Sequence, residues 1–423
     1  MKIFLDTVGC RLNQSEIETF ARQFRAAGHA LVPDASQADL VVINTCAVTG
    51  AAAADSRQKV RQAARLGAGS IVVTGCWASL EPDCVRALPL VERVVENDRK
   101  DQLVMDVLNL PEQDFEMGER VPLPGVRQRT RAFIKIQDGC DHHCTFCVTR
   151  IARGPSRSRT SAQVLADIQA AIQGGSQEMI LTGVHLGAWG KDLQAQPRLD
   201  ELIRLILAET DVPRLRLSSL EPWDLPQDFF SLWQDPRLCR HLHLPLQSGC
   251  PATLRRMGRK TTPGEFASLL AEARSAVPGL AVTTDVIVGF PGEDEREFAQ
   301  SLDFVHAMNF AGGHVFTFSA RPGTPAATMP NQVPHPVRKE RSATMRGVIA
   351  RTAAAYRQTF MGVSLPVLWE SATSTGGQCW QLSGLTDNYL RVVSQAPQQI
   401  SNQISSVRLT MQMPDALYGE ITG

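Results

Sequence analysis

RAFIKIQDGCDHHCTFC, residues 131–147, indicates what kind of domain occupies the centre of the chain. The apolar run FIKIQ is followed directly by three cysteines in a C-x3-C-x2-C arrangement. In barrels of alternating strands and helices, the residues at the carboxyl ends of the strands form the site. The stretch therefore predicts a buried strand that leads into a site built from thiols.

Short apolar runs alternate with helical stretches on the C-terminal side of this strand. Six strands are expected in all: RAFIKIQ (131–137), EMILTG (178–183), RLRLSSL (214–220), HLHLPL (241–246), AVTTDVIVGF (281–290) and GGHVFTFS (312–319). A full eight-stranded barrel averages ~250 residues. We therefore expect an incomplete, TIM-like (β/α)6 barrel over residues 126–360.

The flanking regions have different patterns. Residues 1–115 predict an open parallel α/β sheet. Its strands are KIFLDTVGC (2–10), DLVVINTCAV (39–48) and SIVVTGC (70–76), with helices over Gln14–Ala27 and Ala52–Leu66. Residues 361–423 contain four short strands, LPVLWES (365–371), CWQLSGL (379–385), NYLRVVS (388–394) and SVRLTMQ (406–412), without helices between them, which predicts a small antiparallel barrel or sandwich. The whole chain is therefore placed in the α/β class.

Composition excludes several classes of protein. The 423 residues contain 43 Lys plus Arg and 43 Asp plus Glu, so the chain as a whole has no field that attracts nucleic acid. A hydrophobic content of 43% with 20% charged residues excludes a largely disordered chain. No apolar run reaches the ~18–20 residues of a membrane span. The N-terminus lacks the features of a signal peptide, so we expect a cytoplasmic protein without a membrane partner.

The central cysteines favour an iron–sulfur cluster. Cys140, Cys144 and Cys147 can bind three irons of a 4Fe–4S cluster and leave the fourth iron open to a small molecule. Zinc is the alternative and needs a fourth ligand, which His142 or His143 could supply. Zinc loops more often contain two C-x2-C pairs, and the sequence has no second pair.

Three further cysteines suggest a second metal site. Cys10, Cys46 and Cys76 each follow a predicted parallel strand. The carboxyl ends of such strands lie along one edge of the sheet, where ligands bind. The alternative is that each cysteine is an ordinary core residue, but three at equivalent strand ends favour a shared site.

The motifs resemble those of a known family. The C-x3-C-x2-C run with Phe146 before its last cysteine resembles the radical S-adenosylmethionine (SAM) enzymes. The three strand-end cysteines and the segments GFPGE (289–293) and SARPGTPA (319–326) resemble the methylthiotransferases within that superfamily. The C-terminal segment GLTDNYLRV (384–392) is similar to a TRAM domain. Four segments are most similar to the branch that acts on N6-threonylcarbamoyladenosine in tRNA: GCRLNQSEIE (9–18), KIQDGC (135–140), ILTGVHLGAWGKDL (180–193) and RLRLSSLEP (214–222).

The resemblance implies two 4Fe–4S clusters and SAM as cofactors. Cys140, Cys144 and Cys147 would bind the radical-generating cluster, and Cys10, Cys46 and Cys76 an auxiliary cluster. SAM would be both the radical source and the methyl donor for methylthiolation of C2 of threonylcarbamoyladenosine, at position 37 in the tRNA anticodon loop. A sulfur donor and an electron donor of the flavodoxin or ferredoxin type are also implied, and the sequence identifies neither. The alternatives are methylthiolation of isopentenyladenosine or of a ribosomal protein and, outside enzymes, an iron–sulfur protein that binds RNA without turnover.

The resemblance also places the cofactor and the RNA. It implies contacts with SAM at ten positions: Phe146, Thr182, Gly183, Val184, Ser219, Glu221, Gln247, Gly289, Glu293 and Arg321. Residues 127–159 hold eight Lys or Arg against two Asp, which predicts a local basic patch that follows a phosphate backbone. Five RNA contacts are expected: Arg150, Arg153, Arg157, Tyr389 and Arg391. The C-terminal domain itself is acidic, so a purely structural role for it is the alternative to RNA binding.

Overall fold

The computed structural model describes residues 1–111, 118, 120–121, 123–124, 130–376 and 379–422. The chain forms two compact units. The first unit comprises Met1–Gly175, Thr182–Gln196 and Arg321–Ala327, and the second comprises Ser176–Leu181, Pro197–Ala320 and Thr328–Gly423. Residue 115, the predicted end of the first domain, and residue 126, the predicted start of the second, lie outside the described residues, and these domain boundaries stay predictions. Among the helices of the described residues, none has the length and apolarity needed to cross a membrane.

The first unit contains a five-stranded parallel sheet. Its strands are β1 (Lys2–Thr7), β2 (Ala30–Leu31), β3 (Leu40–Thr45), β4 (Ser70–Gly75) and β5 (Val91–Val95), in the order β2-β1-β3-β4-β5. The helices between and after them are α1 (Arg11–Ala26), α2 (Gly50–Arg65), α3 (Cys76–Leu80), α4 (Pro82–Arg86) and α5 (Leu103–Leu108). The side chain of Thr49 caps α2 by accepting a hydrogen bond from the Ala52 amide. The open parallel sheet and its three long strands are confirmed.

The same unit continues into the first barrel strand. The further elements are β6 (Arg131–Lys135), β7 (Gln137–Asp138), α6 (Thr149–Arg153), β8 (Arg157–Ser158) and α7 (Ser161–Gln173). β7 and β8 pair antiparallel, with Gln137 opposite Ser158 and Asp138 opposite Arg157. This short pairing brings together the two ends of the loop that contains the central cysteines.

The second unit contains most of the remaining barrel strands. The strands are β9 (Glu178–Thr182, whose last residue belongs to the first unit), β10 (Leu215–Leu217), β11 (His241–His243), β12 (Ala281–Val288) and β13 (Gly312–Thr317). The helices are α8 (Leu199–Glu209), α9 (Pro251–Arg256), α10 (Pro263–Ala276), α11 (Glu295–Ala307) and α12 (His335–Gln358). β9 pairs with β10, and β12 lies between β11 and β13, all in parallel. The six expected strands are present, although β10 and β11 have only three residues each.

The C-terminal segment forms a small closed barrel. Its strands are β14 (Ser364–Ser374), β15 (Trp380–Thr386), β16 (Arg391–Ala396), β17 (Ile404–Gln412) and β18 (Leu417–Ile421), in the order β14-β15-β16-β18-β17. The core contains the fully buried Trp369 together with Val367, Val392 and Val407. β18 was not expected from the sequence, and it closes the barrel by pairing with β17 antiparallel and with β16 in parallel.

Candidate metal centres

The three N-terminal cysteines lie at one edge of the five-stranded sheet. Cys10 follows β1, Cys46 follows β3 and Cys76 follows β4, and these three strands are neighbours in the sheet. Cys46 and Cys76 are buried, whereas Cys10 is exposed. The charges of Cys10 and Cys76 act on the thiol of Cys46, and the charge of Cys76 acts on the thiol of Cys10. The structure thus brings together the three residues that the sequence grouped.

Two glycines allow the backbone to close around Cys46. Gly9 has φ +108°, and a Cβ atom placed there would lie 2.8 Å from Cys46 Sγ. Gly75 has φ +101°, and its Cβ would lie 2.3 Å from the carbonyl oxygen of Thr45. Any other residue at either position would combine an unfavourable φ with a steric clash.

The chemistry of these thiols fits a bound metal cluster. Burial raises the pKa of Cys46 to about 11, and the thiols of Cys10 and Cys76 raise it as well. Metals bind the thiolate form, and their positive charge compensates for thiolates that are close together. A set of three cysteines fits a 4Fe–4S cluster with one iron left without a protein ligand.

Asn13 organises the turn around Cys10 and was missed by the sequence reasoning. Its Nδ2 donates to the carbonyls of Val8 at 2.8 Å and of Thr45 at 3.1 Å, and its Oδ1 lies 3.7 Å from Cys10 Sγ. Asn13 is fully buried. Its position in the first turn of α1, three residues after Cys10, was the available signal because side chains three apart share a helix face.

Arg153 lies among carboxylates inside the first unit. It is 2% exposed, and its Nη1 donates to Glu16 Oε1 at 2.9 Å and to Asp138 Oδ1 at 2.8 Å. Its Nη2 donates to Asn13 Oδ1 at 2.7 Å. The predicted RNA contact at Arg153 does not fit this placement, because a guanidinium enclosed in this way does not reach a phosphate outside.

The central cysteines lie on a loop that is tied to the protein at several points. Cys140, Cys144 and Cys147 are each half-buried. The Cys140 amide donates to the Gly154 carbonyl at 3.1 Å, and the Cys147 amide donates to the Cys144 carbonyl at 3.1 Å. Phe146 is half-buried beside them. The loop thus holds three thiols at a surface where a small molecule can approach.

The segment that follows the last barrel strand contacts this loop. The Ala326 amide donates to the Thr145 carbonyl at 2.9 Å. Arg321, a predicted SAM contact in the same segment, is 9% exposed, and its carbonyl accepts from the Thr324 hydroxyl at 2.7 Å. The contact between Arg321 and SAM stays a prediction.

The turn after β9 packs on Gln137, a residue that the sequence reasoning did not single out. Gln137 Nε2 donates to the Gly139 carbonyl at 2.7 Å, and its Oε1 accepts from the His185 amide at 2.8 Å. A Cβ on Gly183 would lie 3.0 Å from that same Oε1. Thr182 is buried and Val184 half-buried. Gln137 therefore connects the cysteine loop to the turn at 182–184 where SAM is predicted to bind.

In the second unit, two of the predicted SAM contacts are carboxylates already paired with arginines. Arg259 donates to both carboxylate oxygens of Glu221, at 3.0 and 2.5 Å. Glu293 is buried, and its Oε1 accepts from the Gly289 amide at 2.8 Å and from Arg341 Nη1 at 2.9 Å. These contacts give Glu293 a structural role in the GFPGE turn and do not fit direct binding of the cofactor.

Ser219 and Gln247 lie at strand ends in the second unit. Ser219 forms a parallel bridge with His243, and Gln247 forms one with Val286. Both side chains are half-buried, and Gln247 has φ +70°. Their contact with SAM stays a prediction.

The remaining predicted RNA contacts differ in exposure. Arg150 and Arg391 are exposed, and Arg157 is half-buried with its Nη2 3.5 Å from the Asn97 carbonyl. The ring of Tyr389 stacks on His241 with centroids 4.5 Å apart, and the guanidinium of Arg216 lies 4.9 Å from its centroid. Tyr389 is thus engaged inside the second unit, which does not fit stacking on an RNA base.

Comparisons with known proteins identify the family of the chain. Residues 2–95 match a family described as "Uncharacterized protein family UPF0004", and residues 134–305 match the radical SAM superfamily. The threonylcarbamoyladenosine tRNA methylthiotransferase MtaB of Bacillus subtilis is 35% identical over 416 residues, 95% of this chain and 92% of that protein. The chain belongs to the radical SAM methylthiotransferases. It is therefore a radical SAM enzyme that transfers a sulfur-containing group, with SAM and 4Fe–4S clusters as cofactors.

Other relatives cover the chain as fully. MtaB of Thermotoga maritima is 34% identical over 92% of this chain and 90% of that protein. A tRNA-2-methylthio-N(6)-dimethylallyladenosine synthase of Cereibacter sphaeroides is 33% identical over 100% of this chain and 99% of that protein. Among solved structures, the radical SAM methyltransferase TsrM of Kitasatospora setae superposes with a TM-score of 0.60 at 16% identity, over 77% of this chain and 75% of that one. This last likeness supports the fold, and the expected family and cofactors are confirmed.

Proposed function

We propose that the chain adds a methylthio group to C2 of N6-threonylcarbamoyladenosine at position 37, in the anticodon loop of tRNA. The observation that carries this substrate is the 35% and 34% identity over most of the chain to relatives named for threonylcarbamoyladenosine. The relative named for dimethylallyladenosine is 33% identical, so the choice between the two modified adenosines needs a direct test.

We assign the two cysteine sets to two clusters. Cys140, Cys144 and Cys147 would bind the cluster at which SAM is cleaved, and Cys10, Cys46 and Cys76 would bind an auxiliary cluster. Both sets belong to the first compact unit. A cluster with three thiolate ligands supplies an open iron for a small molecule, and reductive cleavage of SAM supplies a radical that removes hydrogen from an unactivated carbon.

The residues of the chain hold and orient these groups. Gly9 and Gly75 let the backbone close around Cys46, and Asn13 fixes the carbonyl that precedes Cys46. Gln137 connects the loop of the central cysteines to the turn at 182–184. The protein thus contributes position and shielding from solvent, while the cofactors supply the reactivity.

The substrate is tested by mass spectrometry of nucleosides from the tRNA of a strain that lacks this protein. We expect 2-methylthio-N6-threonylcarbamoyladenosine to disappear and its unthiolated precursor to accumulate. Loss of 2-methylthio-N6-dimethylallyladenosine instead would show that dimethylallyladenosine in tRNA is the substrate. An unchanged profile of both nucleosides would contradict a role in either modification.

The division of labour between the cysteine sets is tested with two variants. Cys144→Ala should abolish the reductive cleavage of SAM, because its cluster loses a ligand. Cys46→Ala should still cleave SAM to 5′-deoxyadenosine but should not insert sulfur. Loss of cleavage in Cys46→Ala, with the spectrum of the central cluster intact, would refute the assignment. Cys84→Ala is the matched control, since Cys84 is an exposed cysteine outside both sets.

A further inference from the structure

A buried arginine next to the N-terminal cysteines is not explained by tRNA binding. Arg153 ends α6, a helix that begins two residues after Cys147. The Nη2 of Arg153 donates to Asn13 Oδ1 at 2.7 Å, and Cys10 Sγ lies 3.7 Å from that same oxygen. The helix that follows one cysteine set therefore reaches, through a single side chain, a residue next to the other set.

A second side chain makes a parallel connection. Asn97 is 3% exposed, and its Nδ2 donates to the carbonyl of Ala152 at 2.7 Å. The same Nδ2 lies 4.0 Å from Cys76 Sγ. Two of the three N-terminal thiols are thus connected to consecutive residues of α6.

The charge of Arg153 acts on this cysteine site. Burial alone disfavours the charged guanidinium, but the carboxylates of Glu16 and Asp138 and the thiols of Cys76 and Cys10 raise the pKa of Arg153 well above its ordinary value. Arg153 therefore stays a cation beside the cysteine site.

The two buried carboxylates bonded to Arg153 are shared with lysines. Glu16 is shared between Arg153 Nη1 at 2.9 Å and Lys100 Nζ at 2.7 Å. Asp138 is shared between Arg153 Nη1 at 2.8 Å and Lys135 Nζ at 3.0 Å. Lys135 Nζ also pairs with the exposed Asp101 at 3.1 Å. Three of the five buried side chains are cations and two are carboxylates, and the thiols of Cys76 and Cys10 also act on the charge of Arg153.

We propose that Arg153 is a positioning and charge-compensating residue for a cluster bound by Cys10, Cys46 and Cys76, and that it connects this cluster to the loop of the central cysteines. The inference rests on the ligand assignment proposed above. Each reduction adds a negative charge to a cluster, and a nearby buried cation stabilises the reduced form. Removal of the Arg153 charge should therefore lower the reduction potential of the auxiliary cluster.

The experiment isolates the auxiliary cluster in the full-length chain. In a Cys140→Ala/Cys144→Ala/Cys147→Ala background, a cluster reconstituted anaerobically with iron and sulfide reports only on the N-terminal site. The midpoint potential is measured by redox titration monitored by electron paramagnetic resonance. Arg153→Gln should shift the midpoint potential to more negative values. Arg153→Lys keeps the charge, so its midpoint potential should stay close to that of the background chain. Arg150→Gln makes the same change at an exposed position of the same helix and should not shift the potential.

Each result either supports or overturns the inference. An unchanged potential in Arg153→Gln at equal iron content overturns it, and equal shifts in the Gln and Lys variants overturn the charge-compensating role. If Arg153→Gln does not fold, the double variant Arg153→Gln/Glu16→Gln removes both charges of the Arg153–Glu16 ion pair. Its potential should again lie below the background, because Arg153 is hydrogen-bonded to Asn13 beside Cys10, whereas the other hydrogen bonds of the Glu16 carboxylate are with Lys100 and Asn44. A background chain that binds no iron would overturn the ligand assignment, and this inference with it. Failure of the inference alone would instead appear as an unchanged potential in a chain that does bind iron.

Discussion

At the scale of single residues, buried charges in the first unit carry a testable part of its stability. Asp167 on α7 is 3% exposed, and Arg22 Nη1 donates to its Oδ1 at 2.6 Å. Arg159 donates to its other oxygen, and Arg120 Nη2 lies 3.9 Å from that oxygen. Burial opposes ionisation, but Arg159, Arg120 and Arg22 together lower the pKa of Asp167 to about 2.

The sign of the pH dependence follows from this lowered pKa. The unfolded chain takes up the proton near pH ~4 and the folded chain near pH ~2, so the stabilisation is complete above pH ~4 and is lost as the pH falls towards 2. In urea denaturation, the difference in stability between the unmodified chain and Asp167→Asn should narrow by about 1 kcal/mol from pH 6 to pH 3. Asp228→Asn, at an exposed carboxylate, is the matched control. If the difference in unfolding free energy between the unmodified chain and Asp167→Asn does not change with pH, ionised Asp167 is not paired with the arginines.

The chemistry of individual residues determined which of them the sequence could identify. The cysteines stood out because thiols at strand ends and at short spacing have few uses other than binding metals. Arg153 was grouped with Arg150 and Arg157 because a run of basic residues resembles a phosphate-binding surface. Its pairing with Glu16, 137 residues away along the chain, depends on tertiary structure and is not visible in the local sequence.

At the scale of elements, the strand ends depend on glycines with positive φ. Gly75 ends β4 with φ +101°, and its Cβ would lie 2.3 Å from the Thr45 carbonyl oxygen. Gly67 has φ +83° but no atom within 4 Å of the corresponding Cβ. Gly67→Ala should therefore cost about 1 kcal/mol of unfolding free energy, and Gly75→Ala about 3 kcal/mol, because overlap is added to the unfavourable φ. Urea denaturation of the iron-free chain measures the unfolding free energy of both variants. Equal losses of unfolding free energy would contradict the role of close packing at Gly75.

The accuracy of the strand predictions followed the strength of each pattern. β3 is buried at every position, and its uninterrupted apolar run made it easy to locate. β18 has only five residues and contains Gly419, which gave no strand signal. The structure explains that glycine, because a Cβ there would lie 2.5 Å from Val407 Cγ1 in the neighbouring strand.

At the scale of the whole molecule, the C-terminal barrel is anchored within the second unit by buried arginines. Arg216 pairs with Glu178 at 2.8 Å and also donates to the carbonyls of Thr386 and Asp387. Arg216→Ala would remove the salt-bridge partner of the buried Glu178 and should destabilise the chain by about 3 kcal/mol in urea denaturation. Arg204→Ala, at an exposed position, should cost less than about 0.5 kcal/mol. Equal effects of the two variants would contradict this anchoring role of Arg216.

The net charge of the molecule is zero, so the proposed binding of tRNA would depend on local groups of exposed cations. If about five phosphates of a single-stranded loop are neutralised, the slope of log affinity against log salt should be about −3 to −4. Arg150 is exposed beside the central cysteine loop, and Arg150→Gln should make the slope less steep by about 0.7, the contribution of one phosphate. Arg204→Gln should leave the slope unchanged, because Arg204 faces Asp228 at 3.6 Å. Titration of an anticodon stem–loop RNA over a series of KCl concentrations measures these slopes. A flat dependence for the unmodified chain would show that the basic patch does not contact the RNA backbone, and binding would then have to come from base contacts alone.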